Sequence, residues 1–392
     1  MHRNPSKVLL PFEANSKSNL KKEKIIDLDP TILSKGKQNE DAAKEPNTAK
    51  LDITSLSPEK SLQLKQQRKE KLKKQKFYLS QQKVFDDNGN VIYEKLKEND
   101  PRVSTLLTKL KSKKERLRSS QTLVEGWRLI VDGLEAKCKL KYVIFSRTAD
   151  LNKLRPFLPK TGVMLYKIPY KEVQLWSDVE TSPGIFGVFQ TPSAENVQVL
   201  SRPLPLQLVC DNIRIPGNLG AILRVAVGVG CEKILLTKGC VDVWDPKVIR
   251  SAAGAHFRLP IYHSIEWSDM SSHLEKNTSI FIADSNTNTV DTSEENHSLE
   301  LNDLPVLPYY SIDFSSLNHT TLILGGETEG ISEESYSLAA NKNGLRLNIP
   351  LQRGVDSLNS GMAIAVIAFE IRKQLIQFWS KQKLENQMVQ VT

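Results

Sequence analysis

The sequence predicts an α/β protein whose larger unit is a parallel β-sheet covered on both faces, and two observations carry that expectation. First, β-branched apolar runs recur along the second half of the chain: LQLVCDN (206–212), KILLT (233–237), SIFIAD (279–284), TLILGG (321–326) and RLNIP (346–350). Each is too continuous for a strand with one wet face, and helical segments separate most of them, as strands buried on both sides require. Second, polar turn clusters follow three of these runs, at the carboxyl ends where open parallel sheets hold their ligands.

The chain has 392 residues, room for two domains and flanking extensions. Residues 1–103 read as a disordered, basic N-terminal extension, most evidently over 1–58, where the polar composition cannot bury enough apolar surface to order itself. MHRNPSKVLLPF, at the start, has basic and no acidic residues, as a mitochondrial transit peptide would, although Glu13 comes early for one. EKSLQLKQQRKEKLKKQK (59–76) forms a basic helical run, either a solvated helix or an arm that contacts phosphates. DDNGN (86–90), between QKVF and VIY, signals a hairpin turn.

A small α/β unit is expected over 104–192. QTLVEGWRLIVDGLEAK (121–137) reads as one amphipathic helix with Leu123, Trp127, Ile130 and Leu134 on a single face. KYVIFS, VMLYKI and GIFGVF read as its strands. Residues 193–205, rich in Pro and Ser, read as a linker. The larger unit then covers 206–380, with a long polar surface insertion at 285–318 and a tail at 381–392.

Composition narrows the chemistry. The net charge of +9 is concentrated locally and points to a polyanionic partner. Cys138, Cys210, Cys231 and Cys240 form no CxxC pair, which fits a reducing compartment without structural disulfide or zinc. No apolar run approaches the roughly 18 residues of a membrane span. GVG (228–230) follows a helix and precedes a strand, so it reads as a helix stop rather than a dinucleotide fingerprint. No phosphate-loop motif occurs. His256 and His263 lack partners at metal-ligand spacing and read as core or surface residues, so no metal site is expected.

Three clusters remain: DNIRIPGNLG after LQLVC, GGETEG (325–330) after TLIL, and IPLQRGVDSLNSG (349–361) before the apolar helix MAIAVIAFEI. Asp356 and Ser357 suit the N-cap of that helix. Each cluster alone is ordinary turn chemistry; three converging on one sheet edge point to a ligand site. The chemistry that survives is one that needs positioning more than a nucleophile, such as methyl transfer from a sulfonium.

NLGAILRVA (218–226), LILGGETEG (322–330) and LNIPLQRGVDSLNSGMA (347–363) resemble the three motifs of the SpoU, or TrmH-like, RNA 2′-O-ribose methyltransferases of the SPOUT superfamily. The resemblance covers about 104–380. LLTKGCVDVWDPKVIRSAAGAHFRLPI (235–261) is most similar to mitochondrial large-subunit rRNA members. Residues 104–190, with VEGWRLI and ETSPGIFGVF, resemble the family's small RNA-binding domain.

The resemblance implies a parallel sheet with a C-terminal trefoil knot and S-adenosyl-L-methionine bent among the knot loops. Gly325, Ile349 and Leu358 would hold its adenine and ribose, with Gly326 and Leu351 in the same pocket. Asn218, Arg224, Glu327, Ser357 and Asn359 would be the catalytic polar residues. It further implies a homodimer that methylates a guanosine of large-subunit rRNA in the mitochondrial matrix. Gln352, Arg353 and Gly354 of the third motif do not reveal the target. A tRNA substrate, or an idle rRNA-binding assembly factor, stays open at this point.

Overall fold

The computed structural model describes residues 65–73, 82–85, 91–197, 202–284, 304–327 and 329–389. The chain divides into two compact units, 1–72 and 73–392. Of the first, residues 65–72 are helical and exposed, within the expected basic run. The remainder of the N-terminal extension up to 64, with its expected disorder and transit peptide, lies outside the described residues.

The second unit begins with β1 (Lys83–Phe85), β2 (Val91–Lys95), α1 (Pro101–Lys111), α2 (Lys113–Ser119), β3 (Gln121–Glu125) and α3 (Trp127–Glu135). It continues through β4 (Leu140–Phe145), α4 (Thr148–Leu154), β5 (Met164–Lys167), α5 (Tyr170–Trp176) and β6 (Ile185–Gln190). These strands form one mixed sheet in the order β1-β2-β5-β4-β6-β3. Two expectations are corrected here. The unit begins well before residue 104: β1 and β2 pair antiparallel and β2 joins β5, while residues 86–90, where a turn was expected, lie outside the described residues. The stretch 121–137 is a strand followed by a short helix. Leu123 and Val124 are buried where β3 pairs with β6, and only Trp127–Glu135 is helical. The apparent helical face was strand residue plus helix residues, and Trp127 on it is exposed.

The chain then runs β7 (Leu206–Asp211), α6 (Pro216–Val229), β8 (Lys233–Thr237), α7 (Pro246–Ala252), β9 (Ile261–Ile265) and α8 (Trp267–His273). After β10 (Thr278–Ala283) come β11 (Val306–Pro308), β12 (His319–Gly325), α9 (Glu333–Ala340), β13 (Leu345–Asn348) and α10 (Ser360–Val389). The second sheet has the order β11-β13-β10-β12-β7-β8-β9, and every pairing in it is parallel. Leu208, Val209, Leu235, Ile282 and Ile323 are fully buried, because helices cover both faces. Gly230, at φ 85°, ends α6 in the left-handed region, so GVG is the helix stop its position implied.

Part of the expected insertion belongs to this sheet. Residues 285–303 lie outside the described residues, but β11 pairs with β13, Phe314 is fully buried, and its N–H donates to Gln374 Oε1 of α10 at 2.8 Å. The expected tail is likewise corrected: α10 continues through 381–389. In the linker region, Leu204 is buried and its N–H donates to Gly230 O at 2.8 Å.

The two sheets share a core, with Phe189 and Phe257 at 5.4 Å between ring centroids. The buried Arg116 guanidinium pairs with Asp242 and donates to Leu110 O at 2.8 Å, and Arg258 donates to Asp132 at 3.1 Å. The four cysteines are free thiols. Among the described residues no helix is long and apolar enough to cross a membrane.

Candidate active site

Because β7, β12 and β13 are parallel, the loops that follow them emerge on one edge of the sheet. Asp211, the last residue of β7, is fully buried. Its carboxylate accepts from Ser332 N–H at 2.7 Å, Ser335 Oγ at 2.9 Å and Asn212 Nδ2 at 3.0 Å, and its carbonyl accepts from Gly326 N–H at 3.1 Å. One buried carboxylate thus fastens the first loop to the second, fully hydrogen-bonded as its burial demands. The first loop then enters α6 through Pro216, whose fixed φ suits a first helical turn.

The second loop, after β12, turns so tightly that Gly330 N–H donates back to Gly326 O at 2.9 Å. A Cβ on Gly325 would stand 2.3 Å from Gly330 O, so no side chain fits there without moving the turn. The third loop, 349–359, leads from β13 into α10. Its cap is Asn359, whose Oδ1 accepts from Gly361 N–H at 3.0 Å. Asp356 and Ser357, the expected caps, stay exposed in the loop, because Leu358 turns into the cavity and the helix starts only after it.

The loops meet in a polar cluster. Asn359 Nδ2 donates to Glu327 Oε1 at 2.7 Å and to Asn218 Oδ1 at 3.0 Å, and Ser360 N–H donates to Glu327 Oε1 at 3.2 Å. Three of the five expected catalytic residues, Asn218, Glu327 and Asn359, are therefore brought together. Arg214 of the first loop also forms an ion pair with Glu329 of the second.

Beside the cluster is a cavity lined by all five residues expected to bind cofactor, Gly325, Gly326, Ile349, Leu351 and Leu358, and by Ser357 and Glu327. Its remaining walls were not foreseen. They are Ala283 and Asp284 at the end of β10, Leu324, Leu347, Gly330, Ile331, and Ser360, Ala363, Ile364 and Ile367 of α10. The last four follow i, i+3, i+4, i+7 spacing, a helix face readable in the sequence; Asp284 carries no motif that could have singled it out. Asp284 is fixed by Arg346, at 3.0 Å from Nε and 2.9 Å from Nη2, and by the Tyr336 hydroxyl at 2.7 Å. Burial, reinforced by this carboxylate, pushes the Tyr336 phenol well up, so it stays a donor. Ser360 Oγ is buried without a hydrogen-bond partner. An apolar wall with one free hydroxyl and a bend of backbone suits the purine and ribose of an adenosyl cofactor.

Arg224 stands apart. It lies six residues beyond Asn218, about 9 Å along α6, is exposed, does not line the cavity, and has no hydrogen bond or ion pair among the described residues. It shares a face with Ala221 and Gly228, which approach Gly361 and Phe369 of α10. On α10, Met362, Val366, Phe369 and Ile376 form an exposed apolar stripe. His256 is a core residue: its Nε2 is 2.7 Å from Val243 O, its ring packs on Trp244, and burial lowers its pKa to about 4. His263 is exposed. Among the described residues there is no group of three or more His, Cys, Asp or Glu that could hold a metal.

The SpoU rRNA Methylase family model matches residues 205–369, and that of an MRM3-like substrate binding domain matches residues 101–187. The chain is 38% identical over 323 residues to mitochondrial rRNA methyltransferase 3 of Homo sapiens, covering 74% of this chain and 76% of the human protein. A Bacillus subtilis 23S rRNA (guanosine(2553)-2′-O)-methyltransferase is 25% identical over 264 residues, covering 67% of this chain and 93% of that one. The fold is that of the AdoMet-bound rRNA methyltransferase of Sinorhizobium meliloti, with a TM-score of 0.58 at 20% identity over 72% of this chain and 98% of that one.

Proposed function

The chain belongs to the SpoU methylase family, and from that premise we propose that it uses S-adenosylmethionine to methylate the ribose 2′-oxygen of a guanosine in mitochondrial large-subunit rRNA. The observation that carries this reading is the Asn218–Asn359–Glu327 cluster standing beside an apolar cavity with a free Ser360 hydroxyl. The relatives named as mitochondrial rRNA methyltransferases support an rRNA substrate and a mitochondrial location; the bacterial relative named for guanosine(2553) of 23S rRNA favours guanosine, while one named for a uridine of 23S rRNA is equally similar.

S-adenosylmethionine, when bound, supplies a methyl group already activated by a positive sulfonium, so the protein's part is alignment and exclusion of water. Gly325, Gly326, Ile349, Leu351 and Leu358 would hold it, with Ser360 Oγ offering a hydrogen bond. Glu327 fixes Asn359 and the start of α10, which keeps the third loop closed over the cavity. Asn218, held by Asn359, fixes the first turn of α6. Ser357, exposed at the mouth, is left to meet the substrate. A guanidinium presents a fork of donors and no acceptor, so Arg224 acts as a clamp on a phosphate beside the target ribose rather than as a base. The proton leaves through that phosphate or water.

The reading includes a C-terminal trefoil knot formed as the third loop passes the second, and a homodimer. The exposed stripe of α10 supports the dimer, because monomers rarely leave such a surface uncovered. Arg224, on the α6 face beside that stripe, would then serve the partner's cavity. Ribose-methylation mapping of RNA from cells lacking the protein tests the whole: one large-subunit rRNA guanosine should lose its 2′-O-methyl group. Loss at a tRNA site instead, or unchanged methylation with defective ribosome assembly, would reject it.

A further inference from the structure

Arg214 and Glu329 lie outside the cluster just described, yet they close a ring with it. Arg214 precedes Asn218 by four residues, and Glu329 follows Glu327 by two, so their ion pair is a second link between the first and second loops beside the Asn218–Asn359–Glu327 contacts in sequence. The two carboxylates differ. Glu327 is engaged by Asn359 Nδ2 and Ser360 N–H. Glu329 holds only Arg214 among the described residues.

The pair is open to solvent, with the Arg214 side chain 57% and that of Glu329 38% exposed. Exposed pairs are weak, and guanidinium forks prefer a phosphate that can accept two parallel bonds. The backbone beneath need not move, because Asp211 fastens both loops through Ser332 and Gly326. An exchange of partners is therefore a side-chain event.

We propose that Arg214 is a substrate-positioning residue that Glu329 holds in reserve, and that an RNA phosphodiester displaces Glu329 to take it. The inference rests on the RNA-methylation reading above. In its resting state the pair neutralises Arg214 and screens the site from small anions; a bound RNA strand opens it.

Two single variants and their double distinguish this from a merely structural pair. With an unmodified transcript of large-subunit rRNA as probe, Arg214→Gln should raise the RNA Kd about two- to fivefold, as for one exposed charge contact. It should also flatten the log–log salt dependence by about 0.7–0.9. Glu329→Gln should lower the Kd, because the arginine is freed, and the double variant should match Arg214→Gln. The effects should fall on KM for RNA rather than on kcat, with S-adenosylmethionine affinity unmoved. If both single variants weaken RNA binding together, or neither changes it while wild type binds and methylates, the inference falls alone. If wild type transfers no methyl group to the transcript, the functional reading falls and takes the inference with it.

Discussion

Asn359 Nδ2 lies 2.7 Å from Glu327 Oε1, and this contact ties the third loop of the site to the second. With Ser360 N–H on the same oxygen, Glu327 anchors the start of α10 beside the cavity, and Asn218 shares the hold on Asn359. Bonds to a charged group are worth about 1.5–3 kcal/mol, and an exposed carboxylate belongs at the low end. Glu327→Ala should therefore weaken S-adenosylmethionine binding about tenfold by calorimetry, with an unchanged circular dichroism spectrum. Glu327→Gln, which keeps one acceptor, should fall between. Wild-type affinity in the alanine variant would show that the third loop closes without this anchor.

Gly325 makes a sharper prediction than pocket filling would suggest. The first obstacle to a side chain is the turn itself, since a Cβ meets Gly330 O at 2.3 Å and Ile331 Cδ1 at 2.7 Å. Gly325→Ala should already abolish cofactor binding, and the strain should cost about 1–3 kcal/mol of stability. Calorimetry and urea unfolding on the same sample would check both. Retained binding would place the cofactor elsewhere.

His256 gives a pH dependence whose sign is fixed by burial. Its pKa falls to about 4 in the fold against about 6.5 in the unfolded chain. Between these values the unfolded state binds the extra proton, so stability is complete above pH 6.5 and declines as pH falls towards 4. The loss attributable to this group approaches roughly 3 kcal/mol. In a urea series, His256→Gln should show a smaller loss over that window than wild type. Parallel slopes would mean that His256 binds its proton equally well folded and unfolded, so that burial does not lower its pKa.

The proposed homodimer would share its sites between chains. Phe369→Lys, in the exposed stripe of α10, should shift the protein to monomer in analytical ultracentrifugation. Arg224→Ala and Gly325→Trp chains should each be inactive alone, yet verified heterodimers of the two should recover one working site. Inactive heterodimers would assign Arg224 to the cavity of its own chain.

Much of this was legible because parallel strands announce themselves. The centres of LQLVCDN, KILLT, SIFIAD and TLILGG are buried on both faces, so a nearly continuous apolar run marks each strand; in RLNIP only Arg346 and Leu347 are buried. The misreadings have physical causes. QTLVE ran into WRLIVDGLE with matching periodicity, and the edge pairing of β3 with β6 decided between strand and helix. The polar composition of 285–318 hid Phe314 and β11, whose burial comes from α10 and β13 rather than from local pattern. At the site, motif residues lie where glycine or a cap is needed. Asp284 and Ser360 were missed because their importance comes from Arg346, Tyr336 and the cavity, all remote in sequence.

The sheet order also sets when the protein becomes competent. Gln207 and Thr321 bond side chain to side chain at 2.7 Å across 114 residues, so β7, which pairs early with β8, waits for β12 before its second neighbour exists. All strands of the sheet have been synthesised by Asn348, but the cavity still lacks the wall that Ser360–Ile367 supplies. At about 5–20 residues per second, the ribosome takes a few seconds to deliver it. A chain stopped in that interval carries the whole sheet with bare the apolar surface that Ile364, Ile367, Ala368 and Ile371 cover. Such a product is inert and sticky, a substrate for chaperones and proteases. Catalytic competence thus certifies that translation has run through the first turns of α10.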